Sequence, residues 1–333
     1  MTISPSRLSI LLGYAALPLI FLIIGFMFFS FPVGAYTFFN TEMGLEIESA
    51  EDGVVIPIFV AGLLISILPS KLGMGDVFMI LWMIYLTLLV ISLLTPKSIF
   101  RVIVEIPKRG VSSLLQNTLI ATIITFSALL LAIILIEQLQ QSVGITTGQL
   151  EGIPSVIFFN ITLSPIVEEF GFRVTTIGFF AALTLASRGA GISSLKAFWH
   201  PGHHLRQILG SNGEKPSLGS LYGIAILSGI FFGLAHLLYG SGQWELGKVT
   251  TAGLAGVALG IFYIHYGFTG AVLLHWSFNY LVGSFTYFER SVGELGFVSI
   301  MSYSVIVTGV VSAVILLVHA YNFRRGKLGQ LPF

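Results

Sequence analysis

Nine apolar runs divide the sequence, and they constrain its fold more than any other feature. Each approaches the roughly 20 residues that a helix needs to cross a bilayer, and they cover residues 8–29, 54–68, 77–94, 119–136, 154–186, 218–239, 249–265, 270–285 and 297–318. Only 9% of the residues are charged, against about 25% in a typical soluble domain. The pattern predicts an all-α, polytopic transmembrane helix bundle of eight or nine spans.

The first two runs need separate interpretation. Residues 8–29 are too long for the apolar part of a cleavable signal peptide, so we predict a first membrane anchor. Residues 54–68 are short for a full crossing, which predicts a tilted or re-entrant helix, or half of a hairpin with the third run. The sequence is rich in Phe (28) and Gly (37). This composition is expected of a membrane bundle in which Phe rings face lipid and Gly residues lie where helices contact each other closely.

Basic residues form three clusters that the positive-inside rule places in the cytoplasm. The clusters are Lys97, Arg101, Lys108 and Arg109, then Arg188, Lys196, Arg206 and Lys215, then Arg324, Arg325 and Lys327. From residue 94 onward the predicted spans place all three clusters in the cytoplasm. Only Lys248 and Arg290 are then on the opposite side of the membrane. If every earlier run crosses, Arg7 and Lys71 lie outside and the acidic segment 42–52 lies in the cytoplasm. The orientation of the N-terminal part is therefore left open.

The remaining segments suggest a coarse organisation. Residues 103–116 predict either an amphipathic segment in the membrane interface or a loop followed by a helix start. Residues 188–217 form a long loop with a turn-rich stretch at 210–216. We predict one membrane domain, with N-terminal helices and an interfacial segment in residues 1–118 and the helices that carry the chemistry in residues 119–333.

Charge and composition exclude several classes of function. The net charge of +1 provides no broad basic face, so we expect no nucleic-acid partner. The sequence contains no cysteine, which excludes disulfides, thiolate metal sites and a cysteine nucleophile. Hydroxyl, carboxylate, imidazole and metal chemistry remain.

Ionisable residues inside apolar runs are the best candidates for function, because each costs about 2.5–3.5 kcal/mol at a helix centre unless it is paired or hydrated. Glu169 and Arg173 are four residues apart, in the order that favours an ion pair on one helix face. Glu168 is rotated by about 100° and remains a candidate general base. The alternative is that both glutamates only connect helices through Arg173.

Two further spans contribute imidazole and amide groups. Phe232 and His236 share a helix face, and Gly229 and Gly233 provide a surface for close helix packing. His275 and Asn279 also project together, and both can donate hydrogen bonds to an oxyanion. The spacing of Ala252, Gly256 and Gly260 predicts close packing in the preceding span. Taken singly, each histidine is as well explained as an interhelical contact.

Together, the three groups contain the parts of a hydrolytic site. Glu168 and His236 can activate water for attack on a carbonyl, and His275 and Asn279 can stabilise the oxyanion. No covalent intermediate is required.

The three motifs resemble those of the CPBP family, which includes type II CAAX prenyl endopeptidases and bacteriocin-processing or immunity-type membrane proteins. The resemblance rests on Glu168-Glu169-xxx-Arg173, Phe232-xxx-His236 and His275-xxx-Asn279, about a third of the chain. It implies a helix bundle with a conical cavity, water activation by Glu168 and His236, an oxyanion hole of His275 and Asn279, and a supporting role for Glu169 and Arg173. It also implies a CPBP-like core in residues 119–333, and a peptide or lipidated protein as substrate, in contact with membrane lipid.

Several alternatives stay open. No cofactor is required by this mechanism, but a divalent metal such as zinc could be held by Glu168, His236 and His275. A metal at His200, His203 and His204, or a serine nucleophile at Ser164, Ser228 or Ser277, is less well supported. The chain could also be a non-proteolytic scaffold or immunity protein, or a proton- or ion-coupled transporter, although no repeated halves are visible. We expect a multi-pass protein of the cell membrane.

Overall fold

The computed structural model describes residues 5–42, 54–211, 218–240 and 243–324. Several predicted features lie outside these ranges: most of the acidic segment (Glu46, Glu48, Glu51 and Asp52), residues 212–216 of the turn-rich stretch, and the basic tail residues Arg325 and Lys327.

The prediction of an all-α membrane bundle is confirmed. Within the described ranges, seven helices are long and apolar enough to cross a membrane. They are α1 (Arg7–Asn40), α2 (Met74–Leu94), α4 (Thr118–Ser142), α5 (Pro154–Ser187), α7 (Gly219–Tyr239), α8 (Leu246–Val292) and α9 (Phe297–Arg324). Two shorter helices, α3 (Ile99–Arg109) and α6 (Pro201–Ser211), lie between them.

The predicted second span is wrong, because residues 54–68 form a β-hairpin instead of a helix. Strands β1 (Val55–Val60) and β2 (Leu63–Pro69) pair antiparallel. Ala61 and Gly62 have φ of +50° and +80°, as a two-residue type I′ turn requires at both central positions. Pro57 opposes a helix interior, and the many Val and Ile residues favour strands. Hydropathy alone therefore gave the wrong element here.

The two predicted spans at 249–265 and 270–285 both lie in α8. The two halves of α8 follow each other without a loop and meet at a break at Gly267 (φ +70°, ψ −167°). The Phe268 amide donates to the Trp199 carbonyl at 2.8 Å, so the loop before α6 replaces the hydrogen bond that the break removes. A Cβ at Gly267 would lie 2.5 Å from the same oxygen. If the two halves of α8 are counted separately, the described chain has eight apolar segments, within the predicted range.

The segment predicted to be amphipathic is helical in its first half. Helix α3 buries Ile99, Val102 and Ile106, and a buried 3₁₀ segment (Gly110–Gln116) follows it. On its polar face Glu105 accepts hydrogen bonds from Lys97 at 2.8 and 2.6 Å. Burial alone would raise the pKa of Glu105, but the bond from Lys97 and the charges of Lys97 and Arg109 bring it below its ordinary value.

The chain folds into two compact units. One comprises Met1–Thr41, Trp82–Ala132 and Tyr280–Phe333, and in it the Tyr280 hydroxyl donates to the Ser30 carbonyl at 3.3 Å. The other comprises Glu42–Leu81 and Ile133–Asn279. It contains the hairpin and every residue of the candidate site described below.

Candidate active site

Helix α5 changes its winding where it carries the first motif. The α-helical part ends at Glu169, and residues Phe170–Gly178 are π-helical before the α-helix resumes. Such π-segments are rare and frequently occur at functional sites. Pro165 lies inside the helix just before the glutamates, and the Ser164 hydroxyl donates to the Asn160 carbonyl at 2.8 Å.

Glu169 is the central residue of the site. Its side chain is fully buried and forms an ion pair with fully buried Arg173, with 3.3 Å between Glu169 Oε2 and Arg173 Nε. Its other oxygen, Oε1, accepts a hydrogen bond from His275 Nδ1 at 2.9 Å. The predicted i, i+4 pair is present, and the same carboxylate also fixes an imidazole from another helix.

Arg173 is held by a carbonyl and an aromatic ring in addition to Glu169. Its Nη2 donates to the Gly256 carbonyl at 3.1 Å, and its guanidinium carbon lies 4.6 Å from the centroid of the Phe232 ring. Nε and Nη1 have no hydrogen-bond partner in the described part of the chain. The cation–π contact and the ion pair therefore offset much of the cost of burying this charge.

Helices α7 and α8 approach each other through glycines, as predicted from their spacing. A Cβ at Gly229 would lie 2.4 Å from the Val257 amide nitrogen, and a Cβ at Gly233 would lie 2.3 Å from the Val249 carbonyl oxygen. A Cβ at Gly256 would lie 2.9 Å from Gly229 Cα. This close contact brings the Gly256 carbonyl to Arg173 and sets His236 beside the start of α8.

His236 has its protonated nitrogen fixed by its own helix. Its Nδ1 lies 2.8 Å from the Phe232 carbonyl, and because a carbonyl only accepts, Nδ1 must be the donor. Nε2 of neutral His236 is therefore free to accept a proton. The ring lies 4.8 Å from Phe232 and 6.3 Å from Trp244, and it is within electrostatic reach of Glu168 and His275.

His275 connects the two glutamates and Asn279. Its Nε2 lies 3.8 Å from Glu168 Oε2 and 3.4 Å from Asn279 Nδ2. Asn279 lies in a π-helical turn (Ser277–Leu281) within α8. The structure thus brings Glu168, Glu169, His275 and Asn279 into direct contact or near contact, with Arg173 behind them and His236 at their side.

Some neighbours of the site are not apparent from the sequence motifs. Phe172 packs edge-to-face on Phe232 at 5.1 Å, and hairpin residue Phe59 packs against this cluster. Trp244 lies between His236 and Lys248, whose Nζ is 4.0 Å from the Trp244 ring centroid. Most of these residues lie outside the positions that define the motifs. The one signal for them in the sequence was Phe232, the aromatic residue four positions before His236.

The hydroxyls considered as nucleophiles are all engaged. Ser228 donates to the Phe172 carbonyl at 2.6 Å and Ser277 to the Leu273 carbonyl at 2.8 Å, and Ser164 donates within its own helix. These bonds agree with setting a serine mechanism aside.

A metal was considered at two places. Across the described ranges, no three His, Cys, Asp or Glu side chains are arranged to hold a metal ion. The rings of His200, His203 and His204 pack on one another at 5.3 and 5.0 Å. In the described ranges, neither the set of Glu168, His236 and His275 nor the set of His200, His203 and His204 converges on one point.

Comparison with known proteins identifies the segment that carries these residues. Residues 151–281 match the family model described as "Type II CAAX prenyl endopeptidase Rce1-like". The search of curated proteins and the search of solved structures return no match. The matched segment includes all six candidate residues and about 40% of the chain. The chain is therefore a multi-pass membrane protein with an Rce1-like domain at residues 151–281, as the resemblance to the CPBP family predicted.

Proposed function

We propose that this chain is an intramembrane endopeptidase that hydrolyses a peptide bond in a membrane-associated protein. The observation that carries the proposal is the meeting of Glu168 with His275, which lie 107 positions apart in the sequence and 3.8 Å apart in space. That distance is too long for a direct hydrogen bond and short enough for one water to contact both groups. Such a water would lie beside a carboxylate that can accept its proton.

The proposed reaction needs only the side chains described above. Glu168 takes a proton from water, and the oxygen attacks the substrate carbonyl. The resulting oxyanion accepts hydrogen bonds from Asn279 Nδ2 and from His275 Nε2. The C–N bond then breaks, the proton passes to the departing amine, and the products are a carboxylate and an amine. His236, with Nδ1 bonded to Phe232, offers Nε2 as a second proton acceptor next to Glu168.

Glu169 supports the oxyanion role of His275 in this mechanism. Because Glu169 accepts the Nδ1 proton, Nε2 of His275 can donate only when the ring is an imidazolium. The bond to this buried carboxylate also fixes the plane of the His275 ring, as the buried aspartate does for the histidine of a serine protease. Glu169 is thus a positioning residue that acts through His275 and Arg173.

An apolar cleft supports a lipidated substrate. It has a volume of about 600 Å³ and runs along α5, and its lining includes Val60, Phe170, Val174, Phe179, Trp199 and Phe268. A saturated or isoprenoid chain suits such a lining, since no charged group faces it. We propose a CAAX-type prenylated C-terminal peptide as substrate, membrane lipid as the surrounding partner, and the cell membrane as the location.

Replacement of Glu168 tests the mechanism. Purified Glu168→Gln should cleave a farnesylated C-terminal peptide about 10²–10⁴-fold more slowly than wild type, the usual contribution of a general base, and should still bind it. Glu151→Gln, which removes a carboxylate from an exposed loop residue, is the matched control and should cleave normally. Cleavage is read as product mass, with an unfarnesylated copy of the peptide in parallel.

The outcomes separate the competing functions. Normal cleavage by Glu168→Gln would overturn the role of this carboxylate. Loss of wild-type activity on chelation, with recovery on adding zinc, would transfer water activation to a metal. If wild type cleaves neither peptide, the chain is better explained as a scaffold, immunity protein or transporter.

A further inference from the structure

The β-hairpin is anchored at its tip to the π-helical part of α5. The Gly62 amide donates to the Gly171 carbonyl at 3.2 Å, and the Ala61 amide donates to Thr175 Oγ1 at 2.9 Å. Gly62 and Gly171 allow this approach, because a Cβ at Gly62 would lie 2.8 Å from the Phe172 ring and one at Gly171 would lie 2.3 Å from Phe59 Cβ. The tip therefore contacts α5 two residues along the chain from Glu169.

Phe59 places the hairpin between the two helices that carry the proposed water-activating groups. Its ring lies 5.8 Å from Phe172 on α5 and 6.0 Å from Tyr239 on α7. Tyr239 is three residues after His236 on α7. A chain that follows the hairpin toward its tip is thus directed to the part of α5 that follows Glu168 and to the end of α7 that carries His236.

The two edges of the hairpin differ in what they can bind. Strand β1 packs along α5, whereas β2 has no comparable packing against a helix in the described ranges. Each strand contains one proline, Pro57 in β1 and Pro69 in β2, and neither has an amide hydrogen. In the same ranges, no residue of β2 forms a hydrogen bond outside the hairpin. Within the described part of the chain, the outer edge of β2 therefore presents donors and acceptors that can still be paired.

This edge is uncharged and mainly apolar, and Ser66 is the polar residue of β2. Residues 54–70 contain no charge, and Leu63, Ile65, Ile67 and Leu68 are each more than half exposed. Open sheet edges do not occur where the backbone faces hydrocarbon, because each unpaired backbone group there costs several kcal/mol. The edge must face water or receive another strand, and extended peptides commonly bind exposed edges in this way.

We propose that the outer edge of β2 binds an extended, apolar segment of the substrate through main-chain hydrogen bonds and guides it toward α5 and α7, the helices that carry Glu168 and His236. The inference rests on the proposed peptidase function and adds a substrate-docking site outside the three motifs. The substrate class it requires is an uncharged segment that can leave its own helix and become extended. Continuity of the hairpin tip with α5 at Gly171 favours the substrate over other occupants.

Ile67 is the position at which the edge can be tested. Ile67 pairs with Pro57. Proline has no amide hydrogen, so it costs the ladder no hydrogen bond only where the two paired residues do not bond to each other. At such a pair the Ile67 amide points away from β1, toward the proposed substrate strand. Ile67→Pro removes this donor and leaves the ladder intact, whereas Ile67→Ala keeps the donor and shortens the side chain.

The kinetic test compares these two variants on the farnesylated peptide. Loss of one hydrogen bond, about 0.5–1.5 kcal/mol, should raise KM for Ile67→Pro about two- to tenfold above that for Ile67→Ala, with similar kcat. A peptide N-methylated at the matching position loses its own donor to the Ile67 carbonyl, which Ile67→Pro retains, so it should lose a similar further factor on wild type and on Ile67→Pro. Equal KM for the two variants, with wild type active, would overturn the inference while leaving the proposed function intact.

Cross-linking tests the contact even if no peptide is cleaved. The native chain contains no cysteine, so Ile67→Cys in the Glu168→Gln background provides a single thiol. Peptides with one free cysteine should form a disulfide with it at every second position, because side chains on one face of a strand recur with period two. Ile192→Cys, 86% exposed and outside the hairpin, is the control and should not react selectively. Absence of a periodic cross-link would overturn the substrate assignment. A disulfide between two copies of the chain, formed without peptide, would also overturn it and would make the edge an interface between copies.

Discussion

Arg173 is a fully buried cation that contacts one carboxylate, one carbonyl and two aromatic rings, those of Phe172 and Phe232. Replacement by Met removes the charge but keeps a side chain of similar length. It leaves Glu169 buried without the Arg173 charge, with the hydrogen bond from His275 Nδ1 still in place. Breaking a buried pair in this way typically destabilises a protein by about 3–5 kcal/mol. We therefore expect Arg173→Met to lower the thermal midpoint clearly, as measured in detergent.

The double variant Glu169→Gln/Arg173→Met supplies the control for this prediction. It removes both charges, so it should be more stable than Arg173→Met alone. It should nevertheless lack activity, because a glutamine at 169 can turn its amide donor toward His275 Nδ1 and then no longer fixes the orientation of that ring. If the double variant is no more stable than the single one, the pair contributes packing and not charge compensation.

The sequence could predict contacts within a helix at this scale but not those between helices. The Glu169–Arg173 pair and the His275–Asn279 pair follow from i, i+4 spacing, and both are present. The bond from His275 to Glu169 joins residues 106 positions apart, a contact that helical periodicity does not encode. The sequence therefore assigned Glu169 to Arg173 alone, whereas the structure shows it also orienting His275.

At the scale of elements, hydropathy found the membrane helices but could not distinguish a hairpin from a short span. Residues 54–68 are as apolar as the runs that form membrane helices. Hydropathy measures how apolar a segment is and does not distinguish an apolar strand from an apolar helix. The local signals were Pro57 and the Ala61-Gly62 pair, which disfavour a helix and permit a type I′ turn. The π-helical segment of α5 had no such signal, because it depends on packing against the hairpin tip and α7.

The break in α8 gives a prediction for Gly267. A Cβ there would be strained at φ +70° and would meet the Trp199 carbonyl oxygen at 2.5 Å. Gly267→Ala should therefore destabilise the protein by about 1–3 kcal/mol, measured as a lower thermal midpoint. Gly253→Ala on the same helix, where the nearest atom would be at an ordinary 3.7 Å, is the control and should change the midpoint little. Equal effects of the two substitutions would show that the contact at the break is dispensable.

The loop that docks at this break carries a pH-dependent group. Burial, together with the charges of His203 and His204, lowers the pKa of His200 from 6.5 to about 3. The unfolded chain binds a proton at His200 near pH 6.5, whereas the folded chain stays neutral there until about pH 3. Stability from this group is therefore full above about pH 6.5 and is lost as the pH falls toward 3.

His200→Gln cannot titrate, so its thermal midpoint should fall less than that of wild type between about pH 6.5 and about pH 4. His204, whose pKa is also lowered by burial and by His203, will leave some residual dependence in both proteins. Parallel pH profiles of wild type and His200→Gln would contradict this assignment.

At the scale of the whole molecule, the hairpin leads to a prediction for the orientation that the sequence left open. If residues 54–69 do not cross and α8 crosses once on each side of Gly267, the chain crosses eight times. The segments that contain Arg7 and the three basic clusters, the last of which is the C-terminal tail, are then all expected on one side. Lys71, Lys248 and Arg290 fall on the other side, together with the acidic segment. This distribution satisfies the positive-inside rule with the basic side in the cytoplasm.

Two contacts inside the unit that carries the site agree with this count. Trp199, in the loop after α5, contacts Phe268 at the break in α8, as expected if both lie on the cytoplasmic side. Gly148, before α5, pairs with Trp244, before α8, as expected if both lie on the opposite side. A helix α8 that crossed only once would place the basic tail opposite the other basic clusters.

The cysteine-free sequence allows this topology to be tested directly. Single cysteines at Glu42 and Lys71 flank the hairpin, and in intact cells both should react with a membrane-impermeant maleimide. Ser193→Cys, in the exposed loop after α5, should react only after the cells are opened, whereas Ser291→Cys near the end of α8 should behave like the hairpin pair. Reaction of Glu42→Cys and Lys71→Cys from opposite sides would show that residues 54–69 cross the membrane. Reaction of Ser291→Cys from the same side as Ser193→Cys would show that the break at Gly267 does not separate two crossings.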